Sequence, residues 1–220
     1  MTDQPVVIVR GEAHTEVDPE IAEFAITVSA RDKDRPETLR RLTDRLDAVR
    51  RVLGEYSEAI EKQASSQLSV YPETKRSEKV TAYVGSVYTN VTVKDFSVLG
   101  ELMLRLADLD QTSIAGPWWS LRPDSPAYGA ARRAAIEDAI SRARDYAAAL
   151  GCEVTGLQQL ADAGLGQPET RIMPMARAAS FSAGMEATPE LALDPARQEV
   201  HGAVEARFTI TNPVIRATTR

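Results

Sequence analysis

The chain has 220 residues and a formal net charge of −6, with 26 Lys and Arg spread among 32 Asp and Glu. That even spread excludes the separate basic block expected of a nucleic-acid-binding protein. A hydrophobic share of 43% and a charged share of 26% are ordinary globular values, which excludes wholesale disorder and a coiled-coil rod.

This length is compatible with a single domain over residues 1–220 that buries roughly 70% of the surface its unfolded chain exposes. Cys152 is the only cysteine, so no intrachain disulfide can form. Met1 to Pro5 lacks a basic n-region, and no apolar h-region precedes the strand-like run at Val6. No segment approaches the run of about 18 apolar residues that would span a membrane. The expectation is a cytoplasmic protein without a membrane span, nucleic-acid partner, metal or cofactor.

Val6 to Arg10 is a β-branched run ended by Gly11, and Ile21 to Ala30 places Ala22, Phe24, Ile26, Val28 and Ala30 on one face. With a short connection through Asp18-Pro19, the two are expected to be neighbouring antiparallel strands. Pro36 opens a helix whose Leu39, Leu42, Leu46, Val49 and Leu53 form one stripe, with Gly54 as its stop. On its outer face Arg40, Arg41, Arg45, Arg50 and Arg51 alternate with Asp44, Asp47 and Glu55, the pattern of a solvated helix surface. Strands follow around Gln67 to Tyr71 and from Val80 to Val93, the latter with Val87, Thr89, Val91 and Val93 on one face. Asp95 or Ser97 is placed to cap a second helix carrying Val98, Leu102, Leu106 and Leu109, with Met103 on its flank. A strand from Ile114 to Leu121 completes the order strand, helix, strand, strand, helix, strand, which is that of a ferredoxin-like split βαβ core in an α+β fold.

The segment from Tyr128 to Leu150 is the most helical of the chain, with Ile136, Ile140, Ala143, Ala147 and Leu150 in phase and Gly151 as a left-handed cap. A strand over Val154 to Leu160 precedes a long irregular arm, 161–197, which carries four prolines. A final strand then alternates through Val200, Gly202, Val204, Ala206, Phe208 and Ile210. The full order is therefore β-β-α-β-β-α-β-α-β-β, with the helices packed on one face of an antiparallel sheet. The arm is too long to be a plain connection and too apolar to be a plain linker, since Ile172, Met173, Met175, Phe181 and Met185 punctuate it.

These features together resemble the SIMPL-domain family, which includes bacterial periplasmic immunogenic proteins. The resemblance is carried by Val-Ile-Val-Arg-Gly-Glu-Ala at 7–13, by Asp18-Pro19 before an alternating strand, and by the Ala82 to Val93 strand before Leu99-Gly100. The helix Ala-Arg-Arg-Ala-Ala-Ile-Glu-Asp-Ala-Ile-Ser-Arg-Ala-Arg at 131–144, ending Ala149-Leu150-Gly151, is its strongest part, and Pro174 to Ala178 and the closing strand complete it. The resemblance implies a small α+β subunit similar to proteins that assemble into rings. It also implies envelope or oxidative-stress links and no catalytic residues to carry over. The family's usual leader is not seen at the start of this sequence.

The residues that could carry chemistry point the same way. His14 and His201 belong to no HExxH or i, i+4 pair, and there is no GxSxG elbow. Cys152 follows a helix C-terminus, where the dipole disfavours a thiolate. Gly164-Leu165-Gly166 lacks the third glycine and the lysine of a phosphate loop, and Asp108 and Asp110 suit a turn. Trp118 and Trp119 are adjacent in a strand and so point to opposite faces; the first expectation is that both are covered within the monomer, and the alternative leaves one of them for a partner subunit. The expectation is a non-enzymatic homo-oligomer whose interface candidates are Trp118, Trp119, Ile172, Met173, Met175, Phe181 and Met185. The alternative is a module binding an unknown small molecule in a pocket between sheet and helices, near Trp118 or Trp119 and Tyr88.

Overall fold

The structure, a computed structural model, describes residues 4–75, 79–163, 191 and 193–213. The element order is β1 (Val6–Val17), β2 (Ile21–Asp32), α1 (Arg35–Glu55), β3 (Ile60–Lys75), β4 (Lys79–Val93), α2 (Leu99–Ala107), β5 (Thr112–Ser120), α3 (Pro126–Ala149), β6 (Val154–Asp162) and β7 (Gln198–Ile210). The strands form two antiparallel sheets, ordered β3-β4-β2-β5 and β1-β7-β6. They belong to two compact units, one holding β2 to β5 with α1 and α2, the other β1, α3, β6 and most of β7.

In the first of these units, β2 and β3 are joined through α1 and flank β4, while β4 and β5 are joined through α2 and flank β2. This interleaving lets every neighbour run antiparallel although each helix links two strands that run the same way. The alternation in β2 decides which face is covered. Ala22, Phe24 and Ile26 are fully buried, Val28 and Ala30 nearly so, and all pack with Leu42, Val49 and Leu53 of α1 and Leu102, Met103 and Leu106 of α2. Both helices thus lie on one face of this sheet. Leu39, expected on the buried stripe, is 39% exposed, and Thr38 is buried in its place, its hydroxyl donating to the Asp34 carbonyl at 2.9 Å.

Three boundaries differ from expectation, and the first is that Gly11 does not end β1, which runs on to Val17. Gly54 does not stop α1 but sits inside its last turn, and Tyr56 is the cap. Strand β3 is 16 residues long rather than a short run around Gln67 to Tyr71, because it is an edge strand whose side chains are mostly exposed on both faces. Such a strand needs no alternation to be stable, and Pro72 is tolerated within it. Asp95 caps as expected, its carboxylate accepting from the Ser97 backbone N–H at 3.0 Å, but it caps a single 3₁₀ turn, Phe96–Val98, that precedes α2.

The other unit corrects the expected partner of the first strand. β1 does not pair with β2; it lies beside β7, with the Ile210 N–H donating to the Pro5 carbonyl at 3.0 Å. A short connection makes sequential pairing common but does not fix it, and here the apposition of small residues against α3 decides. The buried stripe of α3 is Ala131, Ala135, Ala139, Ala143 and Ala147, whereas Ile136 and Ile140 are only half-buried and Leu150 is 44% exposed. Spacing by four with the smallest side chain lets the helix approach the sheet closely, and Gly11 and Gly202 are the sheet residues that meet it. Gly151 has φ +68° and ends α3 as expected, with the Cys152 N–H donating to the Ala147 carbonyl at 2.8 Å.

The basic residues of α1 form the expected solvated network. Arg40 bridges Glu37 and Asp44, Arg41 reaches Glu37 and Asp32, and Arg50 pairs with Asp47. Hydrogen bonds from Arg40 and then Arg41 hold the Glu37 carboxyl down to about 2. Its folded-state value lies below the unfolded one, so what it contributes to stability is present above about pH 4.5 and lost as pH falls toward 2. Glu37→Gln is therefore expected to lower the urea midpoint slightly at pH 7, and the difference from wild type should shrink steadily below about pH 4.5 and be mostly gone at pH 2. A difference undiminished there would show that Glu37 acts through packing instead.

Candidate functional site

The face of the four-stranded sheet turned away from α1 and α2 carries a row of polar side chains. The register sets Lys62 of β3 opposite Thr92 of β4, Thr92 opposite Glu23 of β2, and Glu23 opposite Trp118 of β5. Paired residues share a face, so one row of four side chains crosses the whole sheet. With Ala64 and Asn90 from the adjoining row they line a depression of about 260 Å³. Glu23, Lys62 and Asn90 are exposed and Thr92 half-buried. None of the four is engaged through its side chain with another described residue.

The two tryptophans separate as their adjacency predicts. Trp119 turns to the covered face and meets Phe96 edge-on, with ring centroids 4.9 Å apart and planes at 76°. Trp118 turns to the open face and is 50% exposed. Tyr88 stands half-buried on β4 opposite Thr27 and Gln67 and does not line the depression. The pocket anticipated between sheet and helices exists as a groove of about 190 Å³, but Leu46, Val49, Arg50 and Leu53 of α1 and Gln63 to Ser65 of β3 line most of it, and neither tryptophan nor Tyr88 does.

That groove runs beside the open edge of β3. From Gln63 to Tyr71 this edge strand carries no charged residue and no proline, and within it Leu68 is 65% and Tyr71 54% exposed. Its inner side is tied to β4 by the ladder and by the Ser69 and Ser86 hydroxyls at 2.8 Å. Its outer N–H and C=O groups have no strand partner within the sheet.

Ile172, Met173, Met175, Phe181 and Met185 lie outside the described residues, as does Gly164-Leu165-Gly166. The described end of the arm is placed, however. Leu193 packs on the core of the four-stranded unit, and the Leu191 carbonyl lies where a Cβ on Gly100 would meet it at 2.2 Å. The arm is also shorter than expected at its start, because Ala161 and Asp162 belong to β6.

Sequence reasoning missed one cluster. His14 and His201, far apart in sequence, sit on adjacent strands β1 and β7 with ring centroids 4.5 Å apart, and His14 Nδ1 lies 3.2 Å from Glu199 Oε1. Only knowledge that the first and last strands are neighbours would have shown it. Among the described residues no group of three or more His, Cys, Asp or Glu is arranged to hold a metal ion. Cys152 is buried beside Ala147 and Ile210, as a structural thiol would be.

The perturbed titrating groups lie away from the depression. Burial first, and then a hydrogen bond to Glu101, raises the Tyr56 hydroxyl; it donates to Glu101 Oε1 at 2.7 Å and accepts from Arg105 Nη1 at 3.0 Å. Bonds to Tyr56 and then Glu55 raise Arg105. Asp95 is lowered by its bonds to Ser97, and Asp110 of the 108/110 pair serves as ion-pair partner to Arg45. These arrangements tie α1 to α2, cap a turn and anchor a loop, and none brings an acid and a base to a common cleft.

Among the described residues no helix is long and apolar enough to cross a membrane. A solved structure of an uncharacterized protein from Thermotoga maritima, TM1266, is similar to 46% of this chain and covers 98% of its own, at 16% identity and a TM-score of 0.26, too distant to inform the reading. No curated protein matches the chain. A family model described as a protein of unknown function (DUF541) matches residues 7–208, and the chain accordingly belongs to the SIMPL family.

Proposed function

We propose that this chain is a non-enzymatic, self-associating protein whose subunits meet along the open edge of β3. The observation that carries this reading is the uncharged, proline-free stretch from Gln63 to Tyr71 with Leu68 and Tyr71 exposed on it. Edge strands that stay monomeric are commonly guarded by Lys, Pro or bulges; the middle of this one has neither charge nor proline, and its one guard is a register shift against β4 between Ser65 and Gln67. The groove between α1 and β3 offers apolar seats to side chains of an added strand, which favours strand addition over face-to-face contact.

Lysines introduced together as Leu68→Lys and Tyr71→Lys are expected to lower the solution mass toward 24.0 kDa in light scattering, with the circular dichroism of the fold retained. A mass unaltered by the pair would remove β3 from the interface. The apolar segment 171–185 is the second contact in this reading, and its deletion is expected to reduce the oligomer order as well.

A second reading, a small-ligand-binding module, is favoured by one observation: the polar groups left open around Trp118 in the sheet-face depression. The two readings meet on β3, since Lys62 and Ala64 line the depression and Ala64 also lies within the proposed edge contact.

A further inference from the structure

We propose that the depression on the open sheet face binds a small zwitterion, with its amine held between Glu23 and the ring of Trp118 and its acidic group held by Lys62. The proposal rests on the ligand-binding reading and names its ligand class. The charges come from the row itself, since Lys62, Thr92, Glu23 and Trp118 stand in register on four successive strands. Neighbouring strands are about 4.8 Å apart, so the backbones of Lys62 and Glu23 are separated by roughly 10 Å with Thr92 between them. Among the described residues neither forms an ion pair, although both line the same depression. Opposite charges therefore face one small space without neutralising each other.

Trp118 stands beside the negative end of this row. A carboxylate next to an exposed indole face attracts an ammonium twice over, by charge and by the ring quadrupole. A simple amine would satisfy Glu23 and Trp118 but leave Lys62 repelling it. A simple acid would satisfy Lys62 and be repelled by Glu23. A ligand bearing both signs, several bonds apart, answers both ends, as an ω-amino acid or a short peptide zwitterion does. Thr92 and Asn90 supply a hydroxyl and an amide to the portion in between. The depression, about 260 Å³, has room for a ligand of that size.

The chain has two tryptophans, so Trp119→Phe leaves Trp118 as the only fluorescent indole. The full chain carrying this change is titrated with 6-aminohexanoate, with n-butylamine and hexanoate as single-charge controls and glucose as a neutral one. Should the variant fold poorly, the indole Nε1–H signals of the wild-type chain in heteronuclear NMR give the same readout. The expected result is a saturable Trp118 response to 6-aminohexanoate at a concentration about tenfold below that needed for either single-charge control. Glu23→Gln should abolish the preference by weakening the amine end, and Lys62→Met should abolish it by weakening the acid end. Equal affinity for zwitterion and single-charge probes, or a response to glucose alone, overturns the zwitterion assignment and leaves the ligand-binding reading standing. No response to any probe overturns the assignment, and a thermal-shift screen that stays flat across a broad metabolite library would overturn the ligand-binding reading with it.

Discussion

Phe24→Ala is expected to destabilise the four-stranded unit by about 4 kcal/mol, in the range measured when a buried aromatic is cut to a methyl group. Phe24 is fully buried on β2, a strand that pairs on both sides, and it belongs to the cluster that joins the sheet to α1 and α2. Removing its ring leaves a cavity bounded by two helices and a sheet, which can collapse only if the whole layer shifts. In urea denaturation the midpoint should fall with little change in slope, and the melting temperature should drop by roughly 10 °C. A loss below about 1 kcal/mol would mean that the helices do not cover this face as described.

Gly11→Ala is expected to cost about 3 kcal/mol in the other unit, by overpacking rather than by a cavity. A Cβ at this position would lie 2.0 Å from the Ala135 carbonyl oxygen and 2.7 Å from both the nitrogen and the Cβ of Ala139. These are mostly backbone atoms of α3, which cannot rotate out of the way as a flexible side chain would. The helix must lift, and its contacts to Val9, Val204, Ala206 and Phe208 weaken together. Gly202→Ala should act in the same way, since its Cβ would meet the Ala131 carbonyl oxygen at 2.3 Å. The two effects should not add, because one displacement of α3 relieves both. Gly54→Ala is the contrast: nothing lies within 4 Å of its Cβ site and the residue is helical, so a gain of about 0.5–1 kcal/mol is expected. Thermal melts of the three variants check the set, and a neutral Gly11→Ala would contradict the close helix-to-sheet approach.

These positions also show what the sequence could reveal. The alternation in β2, β4 and β7 was plain because one face of each is buried and the other is not, and the period of two survives directly into burial. The stripe of α1 was visible for the same reason. In α3 the spacing points to Ile136, Ile140, Ala143, Ala147 and Leu150, of which the two alanines are buried and the larger side chains are not. Close packing against Gly11 and Gly202 makes alanine the core residue. Partner choice is a long-range property: nothing local to Val6–Val17 says that it pairs with a strand beginning at Gln198 rather than with its neighbour in sequence.

The candidate site was half legible. The opposite directions of Trp118 and Trp119 follow from strand geometry alone and hold in the fold. The row that places Glu23, Thr92 and Lys62 beside Trp118 depends on the register of three strand pairs, which no single segment encodes. The length of the β3 edge was hidden for a related reason, since a strand with neither face fully buried shows no period.

Self-association is the central claim, and the solution mass tests it most directly, by light scattering coupled to size-exclusion chromatography at two protein concentrations. A mass several times 24.0 kDa that holds on dilution, and that falls when Leu68 and Tyr71 become lysine, is the result expected here. A mass of 24.0 kDa at both concentrations would contradict assembly along β3 and leave ligand binding on the open sheet face as the function to pursue.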